Sequence, residues 1–389
     1  MLVSLNISKF SSCYGCGVCT MACPVKIIHL HLGEDGFYHP EITEKDKCVH
    51  CGICLDVCAY AHEETALTTS PIGYFSAWSK DEATRRNSTS GGVITELSRF
   101  FLHNGYGICA ASYDPKSHLT RHIIVTDQEA LEQCAGSKYM QSNFVEDSLA
   151  KMEAGKNYLV IGTPCQIDSF RRYIRHKRIE GNFLLADFFC HGVPSIRMWH
   201  KYLAMTGMRD IQQVHFRDKQ DGWHEASYRI VLENGKKTWN SKLTDGDLFY
   251  RFFLGNRCLN AACYDKCMFK ADRSSADIRL GDMWGQKYAA DRLGVNTVIT
   301  FTRRGQETLA LLESCQVNSE GREDALGDQM RKNATRPRSY RYVTRMLRTQ
   351  RTLPSINRGA GLRELPDRLT RVARAYTRWF LNRMHPIKK

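Results

Sequence analysis

The chain carries two short stretches that decide its N-terminal fold, CYGCGVCTMACP at residues 13–24 and CVHCGICLDVCA at residues 48–59. Each has the spacing Cys-x2-Cys-x2-Cys-x3-Cys. Three thiolates spaced by two residues fit one face of a cubane iron-sulfur cluster, and the fourth reaches the cluster held by the other stretch. Glycines within the stretches (Gly15, Gly17 and Gly52) suit a backbone that bends tightly around such a cluster.

This spacing predicts two 4Fe-4S clusters and assigns their ligands. One cluster has the ligands Cys13, Cys16, Cys19 and Cys58, and the other has Cys48, Cys51, Cys54 and Cys23. The alternative is a pair of zinc sites, which normally combine two cysteine pairs separated by a longer loop. Four ligands within eleven residues do not follow that plan. We therefore expect residues 1–66 to form an α+β, bacterial-type ferredoxin domain that is stabilised largely by its metals.

The composition of the whole chain is that of a globular protein. Of its 389 residues, 42% are hydrophobic and 25% charged, and this length allows two or three domains. No apolar run approaches the roughly 18 residues of a membrane span, and the N-terminus lacks a signal-peptide pattern, so we expect a cytoplasmic protein. Because that compartment keeps thiols reduced, the sixteen cysteines favour metal ligation over disulfides.

Beyond a polar linker, short apolar runs alternate with helical patterns. Extended segments are predicted at Arg121–Thr126, Tyr158–Gly162 and Phe183–Phe189, and helices at Val93–His103, Gln166–Arg175 and Ser195–Thr206. This alternation predicts an α/β body with layers around a mixed sheet, in an N-terminal part (residues 70–155) and a C-terminal part (residues 156–330). The pair Asn234-Gly235 predicts a β-hairpin within residues 228–239.

Two polar loops of the body are candidate phosphate sites. Ser88–Val93 opens a helix, where free backbone N–H groups and the helix dipole attract a phosphate. A plain N-cap followed by a tight turn explains the same residues, and both interpretations stay open here. The second loop, Gly136–Tyr139, contributes a cation and hydroxyl groups of the kind that hold a nucleotide diphosphate.

Four cysteines of the body form a candidate set of ligands for a third cluster. Cys165 and Cys190 each follow a predicted strand and should meet at the carboxyl edge of the sheet. Cys263 and Cys267 complete the set, with Cys258 in reserve. The alternative for a single cysteine is an inert buried thiol, which fits Cys109, Cys134 and Cys315 best. A catalytic pair of Cys190 or Cys165 with His191 is disfavoured, since adjacent side chains on a strand point to opposite faces.

Several stretches of the body together resemble one family, the coenzyme F(420) hydrogenase/dehydrogenase beta subunits and their bacterial relatives. The stretches follow one another from about residue 70 to 300, behind the ferredoxin-type module. They are Ser90-Gly91-Gly92-Val93, Gly136-Ser137-Lys138-Tyr139, Gly162-Thr163-Pro164-Cys165-Gln166, Cys190-His191-Gly192-Val193-Pro194-Ser195, Phe216-Arg217-Asp218-Lys219 with Gly222-Trp223, Cys263 to Cys267, and Ala276 to Gly285.

The resemblance implies an iron-sulfur flavoprotein that binds FAD beside a 4Fe-4S cluster of its own. The implied FAD contacts are Ser90, Gly91, Gly92, Val93, Ser137, Lys138 and Thr163. The implied cluster ligands are Cys165, Cys190, Cys263 and Cys267, although the family's usual Cys-x2-Cys is one residue longer here. His191 and Asp282 are candidates for groups near the flavin.

A flavin converts two-electron hydride steps into the one-electron steps that clusters carry. The resemblance thus implies an oxidoreductase between F(420), or another organic hydride partner, and a ferredoxin or other one-electron carrier. Two alternatives stay open. One is a non-catalytic electron-transfer subunit of a larger redox complex, and the other is a ferredoxin-dependent reductase of polysaccharide synthesis.

The positive charge of the chain lies at its C-terminal end. Residues 331–389 contain 17 basic and two acidic residues, whereas the rest contains 38 basic and 39 acidic residues. Arginines at helical spacing (Arg341, Arg345 and Arg348, then Arg368, Arg371, Arg374 and Arg378) face apolar residues such as Leu369, Val372, Tyr376 and Phe380. This basic helical tail could lie on the inner face of an anionic membrane or on an acidic protein, or pack on its own domain. Nucleic acid is not expected, since no binding fold is recognisable.

Overall fold

The computed structural model describes residues 6–224, 228–327 and 329–384, with the backbone alone at 368 and 371–384. Its strands are β1 (Ile28–Leu32), β2 (Tyr38–Ile42), β3 (Gly73–Ser79), β4 (Gly107–Asp114), β5 (Leu119–Val125), β6 (Ser142–Asn143), β7 (Tyr158–Gly162), β8 (Phe183–Phe188), β9 (Gln213–Asp218), β10 (Arg229–Glu233), β11 (Thr238–Lys242), β12 (Ile278–Asp282), β13 (Asn296–Thr300) and β14 (Cys315–Ser319).

The helices are shorter near the N-terminus and longest at the C-terminal end. They are α1 (Val18–Ala22), α2 (Ile53–Asp56), α3 (Glu82–Asn87), α4 (Val93–His103), α5 (Gln128–Gln133), α6 (Pro164–Lys177), α7 (Ile196–Thr206), α8 (Leu248–Phe253), α9 (Ala261–Asp265), α10 (Arg303–Ala310), α11 (Arg322–Leu326), α12 (Tyr340–Leu347) and α13 (Leu353–Met384).

The N-terminal module combines the antiparallel pair β1 and β2 with the short helices α1 and α2. Each helix begins directly after a glycine in the left-handed region, Gly17 at φ +78° and Gly52 at φ +77°. Residues with a Cβ rarely adopt that conformation, so the two glycines let the chain reverse between consecutive cysteines. The small core of the module mixes isoleucines with cysteines. Its stability therefore depends on whatever the cysteines bind.

The body is built on a nine-stranded mixed sheet in the order β14-β3-β13-β12-β8-β7-β4-β5-β6. Its centre, β12-β8-β7-β4, is parallel. Towards one edge β13, β3 and β14 pair antiparallel, and on the other side β5 pairs antiparallel with β4. Strands β9, β10 and β11 form a separate antiparallel sheet. The predicted layered α/β body with a mixed sheet is confirmed.

Several predicted boundaries differ from the structure by one or a few residues, and two of these differences have clear local reasons. The helix predicted from Gln166 begins at Pro164, because Thr163 and Gln166 form a capping box and proline suits the first helical position. In the predicted hairpin, β11 begins only at Thr238. Asn234 Oδ1 accepts the N–H groups of Lys236 and Lys237, at 3.1 and 2.8 Å, and so lengthens the turn.

The C-terminal helices belong to the largest apolar core. Val343 and Leu347 of α12, and Leu353, Ile356 and Ala360 of α13, are buried in the same cluster as the aromatic side chains of α7 and α8. The guanidinium of Arg257 binds the Glu364 carboxylate at 2.5 Å and Asn357 Oδ1 at 2.8 Å. The predicted basic tail is therefore part of the body as far as Glu364. Within the described residues, no helix combines the length and apolarity needed to cross a membrane.

We expect Ile356→Ala to lower the free energy of unfolding by about 2–5 kcal/mol, because it leaves a cavity in this core. Ile356 is fully buried, whereas Leu362 on the same helix is 72% exposed. The matched variant Leu362→Ala should change stability by less than about 0.5 kcal/mol. Urea denaturation under anaerobic conditions measures both values. Equal effects of the two substitutions would show that α13 is not packed on the body.

Candidate metal and cofactor site

The first group of cysteines surrounds a cavity in the N-terminal module. Cys13, Cys16, Cys19 and Cys58 line a space of about 250 Å³. Burial, reinforced by the neighbouring cysteines, raises the pKa of both Cys13 and Cys58 to about 12. As thiolates, these side chains would need a cationic centre between them to offset their charge. The structure thus places Cys58, the fourth cysteine of the second stretch, beside the first three cysteines of the first stretch.

The second group shows the reciprocal arrangement. Cys23, Cys48, Cys51 and Cys54 line a smaller cavity together with Gly52. The pKa of Cys54 is raised by burial and further by the proximity of Cys51, Cys23 and Cys48. Cys51 is exposed to solvent. The exchange of the fourth cysteine between the two stretches is therefore present in the fold, while ligation itself stays a prediction.

A third group forms at the carboxyl edge of the large sheet. Cys165 lies in the first turn of α6, directly after β7, and Cys190 follows the neighbouring parallel strand β8. Cys263 lies in α9 and Cys267 two residues beyond it. Burial raises the pKa of Cys263 to about 12, with a contribution from nearby Cys190 and Cys267. One more residue separates Cys263 from Cys267 than in the family's usual Cys-x2-Cys, and α9 ends at Asp265 between them.

Gly192 packs tightly against the third group. A Cβ at this glycine would lie 3.3 Å from the Cβ and 3.5 Å from the Sγ of Cys263. Its φ of +144° also disfavours residues other than glycine. Cys258, the reserve ligand, lies fully buried in the aromatic core instead. The structure therefore groups the four cysteines that the sequence indicated first.

The donor sets match those that hold iron-sulfur clusters. Each of the three groups offers four cysteine side chains, and four cysteine thiolates are the usual ligands of a 4Fe-4S cluster. Gly15 N–H lies 3.3 Å from Cys13 Sγ, and Thr163 Oγ1 lies 3.3 Å from Cys165 Sγ. Hydrogen bonds to sulfur are one way in which proteins adjust cluster potentials.

The two predicted phosphate loops meet each other. Thr89 Oγ1 donates to Ser137 Oγ at 2.9 Å and accepts the Ser137 N–H at 2.7 Å. Ser90 Oγ donates to Val295 O, and the Val93 N–H donates to Asn296 Oδ1 at 3.2 Å. These bonds hold the start of α4 against β13 and use part of the polar surface that a phosphate would otherwise contact.

Gly91 and Gly92 explain the shape of the first loop. A Cβ at Gly91 would lie 2.7 Å from Ala77 O, so only glycine allows this approach to β3. Gly92, at φ +85°, is the N-cap of α4. Both glycines therefore have packing roles, and their predicted contacts with FAD stay predictions.

Lys138 and Thr163 are engaged with the protein itself. Lys138 Nζ donates to the carbonyl groups of Cys134 and Ala135 at 2.7 and 2.8 Å, at the end of α5, and burial lowers its pKa to about 8. Thr163 belongs to the capping box of α6. Any contact of these residues with FAD would use the backbone or a different side-chain rotamer.

Lys219 is a functional candidate that the sequence did not single out. Its Nζ donates to three carbonyl oxygens, those of Arg85, Ser90 and Leu293, at 2.5, 2.7 and 2.5 Å. Burial lowers its pKa to about 7. The side chain thus ties the end of β9 to α3, to the Ser88–Val93 loop and to the segment before β13. The signal was present in the stretch Phe216–Lys219, but nothing in a linear sequence shows which carbonyl groups a lysine will reach.

Asp282 lies in a cluster of charged and aromatic side chains. Its carboxylate binds Arg217 Nη1 at 2.5 Å. The Arg217 guanidinium lies over the Trp284 ring at 5.2 Å, and Trp284 stacks on Trp223 with 4.7 Å between the ring centroids. Arg217 Nε is buried and has no hydrogen-bond partner in the described part of the chain. The cluster thus combines a buried Arg217–Asp282 ion pair with stacked planar aromatic rings.

His191, the second candidate for a group near the flavin, lies elsewhere on the carboxyl edge of the sheet. Its Nε2 is paired with Asn256 Oδ1 at 2.7 Å, and burial lowers its pKa. Its ring lies 5.1 Å from that of Phe253, which in turn lies 5.0 Å from Tyr139. An aromatic row therefore connects the Cys190 segment with the Gly136–Tyr139 loop.

Family models match most of the chain. The model of the coenzyme F(420) hydrogenase/dehydrogenase beta subunit N-terminus matches residues 74–146, and that of the C-terminus matches residues 155–323. The chain belongs to this beta subunit family. A 4Fe-4S dicluster domain model matches residues 12–62. The chain thus belongs to a family of redox-enzyme subunits and includes an iron-sulfur module.

Among the solved structures, the chain has a similar fold to a chain of a hydrogenase complex. It is the F(420)-reducing (NiFe) hydrogenase complex from Methanosarcina barkeri, derivatised with xenon. The similarity is 17% in sequence identity, with a TM-score of 0.48, and covers 66% of this chain and 85% of that one. No curated protein matches the chain.

Substitution of one proposed cluster ligand in this member of the beta subunit family should remove one cluster. We expect Cys58→Ser to lower the iron content by up to about four atoms per chain. The matched variant Cys134→Ser, in a half-buried cysteine outside the three groups, should keep all the iron. Iron analysis of anaerobically purified protein measures both. A loss of iron from the Cys134 variant, or none from the Cys58 variant, would contradict the assignment.

The lowered pKa of Lys219 predicts a pH dependence of stability. Between about pH 7 and pH 10 this lysine is protonated in the unfolded chain but largely neutral in the fold, so its contribution to stability rises with pH. The free energy of unfolding of the wild type, minus that of Lys219→Met, should therefore increase across this range and stay level below pH 7. Urea denaturation at several pH values measures it, and a pH-independent difference would contradict the prediction.

Proposed function

We propose that this chain is an FAD and 4Fe-4S dependent oxidoreductase. It exchanges a hydride with F(420) or another organic substrate and single electrons with a ferredoxin or similar carrier. The observation that carries the proposal is the position of the third cysteine group at the edge of the sheet. His191, next to Cys190, contacts Phe253, and Phe253 contacts Tyr139. Tyr139 belongs to the second polar loop, which is hydrogen-bonded to the first. Such an arrangement suits a cluster that exchanges electrons with a nearby flavin.

Each group of residues has a proposed part in this reaction. When bound, FAD would supply the conversion between a hydride and single electrons. Ser90, Gly91, Gly92, Val93, Ser137, Lys138 and Thr163 are the proposed FAD contacts. Arg217 and the Trp223–Trp284 stack offer a buried cation and aromatic surface for a planar substrate or for the ring system of FAD. The four cysteines of the third group are the proposed ligands of the cluster nearest to FAD.

Anaerobic purification followed by cofactor analysis tests the proposal. We expect about twelve irons and one FAD per chain, and reduction of the bound flavin by reduced F(420) or by a reduced ferredoxin. About twelve irons without flavin would instead indicate an electron-transfer subunit that only relays charge. Zinc without flavin would contradict the proposal altogether.

We further propose that the enzyme works in the cytoplasm, in weak contact with an anionic membrane surface through α13. Beyond the buried part of this helix, Leu362, Leu365 and Leu369 are 72%, 48% and 62% exposed and recur at helical spacing. The predicted continuation of this pattern, Arg371, Arg374 and Arg378 with Val372, Tyr376 and Phe380, falls on side chains outside the described ones. Exposed leucines flanked by arginines suit an interfacial helix.

Vesicle binding tests this contact. At low salt, the full chain should bind vesicles containing an anionic phospholipid, and deletion of residues 368–389, which keeps the buried segment, should abolish binding. Neutral vesicles serve as the control, and added salt should weaken binding. Equal binding of the intact and shortened chains would rule out the membrane contact.

A further inference from the structure

The first and third cysteine groups lie against a common face of α6. Ser169 Oγ lies 3.4 Å from Cys16 Sγ of the first group and accepts the N–H of Ala59, the residue after Cys58, at 3.0 Å. Cys165 of the third group precedes Ser169 by four residues on the same helix. Residues four apart lie about 5–6 Å from each other on one helix face. Helix α6 therefore carries a proposed ligand of the third group and, one turn later, a side chain in contact with the first group.

Tyr14 forms a second bridge between the same two groups. It follows Cys13, is buried, and belongs to an apolar cluster that includes Ala59, Cys165 and Cys267. Its hydroxyl donates to Lys266 O at 2.5 Å, next to Cys267. Tyr14, which follows the proposed ligand Cys13, thus contacts the residue that precedes the proposed ligand Cys267.

The second cysteine group lies on the opposite side of the first. Cys19 of the first group shares the small core of the N-terminal module with Cys23 and Cys54 of the second. The far end of the second group reaches solvent, where Cys51 is exposed and Val49 is 61% exposed. The first group therefore has a neighbouring group on each side, and the second group has an edge at the surface.

We propose that the three groups hold clusters in a linear order, with the cluster of the first group in the middle. A one-electron carrier exchanges electrons at the exposed edge around Val49 and Cys51. The region around Tyr14 and Ser169, where the first group meets the third, is the junction at which electrons pass between the N-terminal module and the body. Each transfer moves one electron from a reduced cluster to an oxidised one and makes or breaks no bond. The inference rests on the proposed function, since it requires all three clusters.

Removal of single clusters tests the order. In the double variant Cys48→Ser, Cys51→Ser, which lacks the second cluster, paramagnetic resonance of the reduced protein should still show magnetic coupling between the two remaining clusters. In Cys13→Ser, Cys58→Ser, which lacks the middle cluster, the two remaining clusters should give uncoupled signals. Coupling that persists without the first group, or disappears without the second, would overturn the order.

Electron transfer gives an independent measurement. A reduced ferredoxin should reduce the bound flavin of the wild type but fail to reduce it in either double variant. Reduced F(420), or dithionite as a chemical reductant, should still reduce the flavin in both. Flavin reduction by ferredoxin at the wild-type rate in either variant would overturn the proposed path. As a control, each double variant should retain about eight irons and its flavin, which shows that only one cluster has been lost. Fewer than about twelve irons in the wild type would instead refute the proposed function.

A milder variant addresses the junction without loss of a cluster. Ser169→Ala removes a hydroxyl beside Cys16 and should shift the potential of the middle cluster to a more negative value, because hydrogen bonds to sulfur favour the reduced state. Ser98→Ala is the matched control, since Ser98 Oγ donates to Ile94 O within α4. Spectroscopic redox titration resolves the potentials. An unchanged middle cluster in Ser169→Ala, or an equal shift in Ser98→Ala, would overturn the role of Ser169.

Discussion

The arrangement depends on helix α6, which fastens the N-terminal module to the body. Its Asp168 is fully buried and accepts hydrogen bonds from the Ala66 N–H and Ser275 Oγ, both at 2.5 Å, and from Arg172 Nε at 2.8 Å. Ser169, next in the helix, binds the Ala59 N–H. A buried carboxylate is costly unless it is fully paired, so these contacts select one position of the module and of the linker after it.

That position gives the cysteine groups their relation to one another. The helix begins at Pro164, directly before Cys165, because β7 ends at Gly162 and the capping box of Thr163 and Gln166 starts a new element. The same helix therefore carries a proposed cluster ligand at its beginning and a docking residue for the N-terminal module one turn later. Gln141 adds a second point of attachment, since its side-chain amide pairs with the Tyr38 N–H and with Tyr14 O. Two elements of the body thus orient the module around the first cysteine group.

Local patterns predicted much of this fold. The alternation of apolar and helical segments is enough to indicate an α/β body, and Val93–His103 forms a helix with the predicted bounds. The cysteine spacing also predicted the exchange of Cys23 and Cys58 between the two stretches, since that geometry follows from the cluster itself. The carboxyl ends of β7 and β8 meet as parallel neighbours, so Cys165 and Cys190 lie on one rim as expected.

Long-range contacts were beyond the reach of the sequence. The three carbonyl groups around Lys219 belong to residues that lie 74 to 134 positions away from it in the sequence. The pairing of Arg217 with Asp282 likewise joins distant strands. The position of Ile356 in the aromatic core could not be told from that of an exposed helix residue, because the periodicity of α13 is the same in both cases. In each case the partner is defined by the fold alone.

The central claim is that three clusters and one flavin share this chain, and a reductive titration tests it most directly. Each 4Fe-4S cluster accepts one electron and a flavin accepts two, so complete reduction of the anaerobically purified protein should take up about five electrons per chain. Absorbance changes of the clusters and of the flavin would follow the titration. An uptake of about two electrons, with no flavin signal, would contradict the account, since it would leave only the two clusters of the N-terminal module.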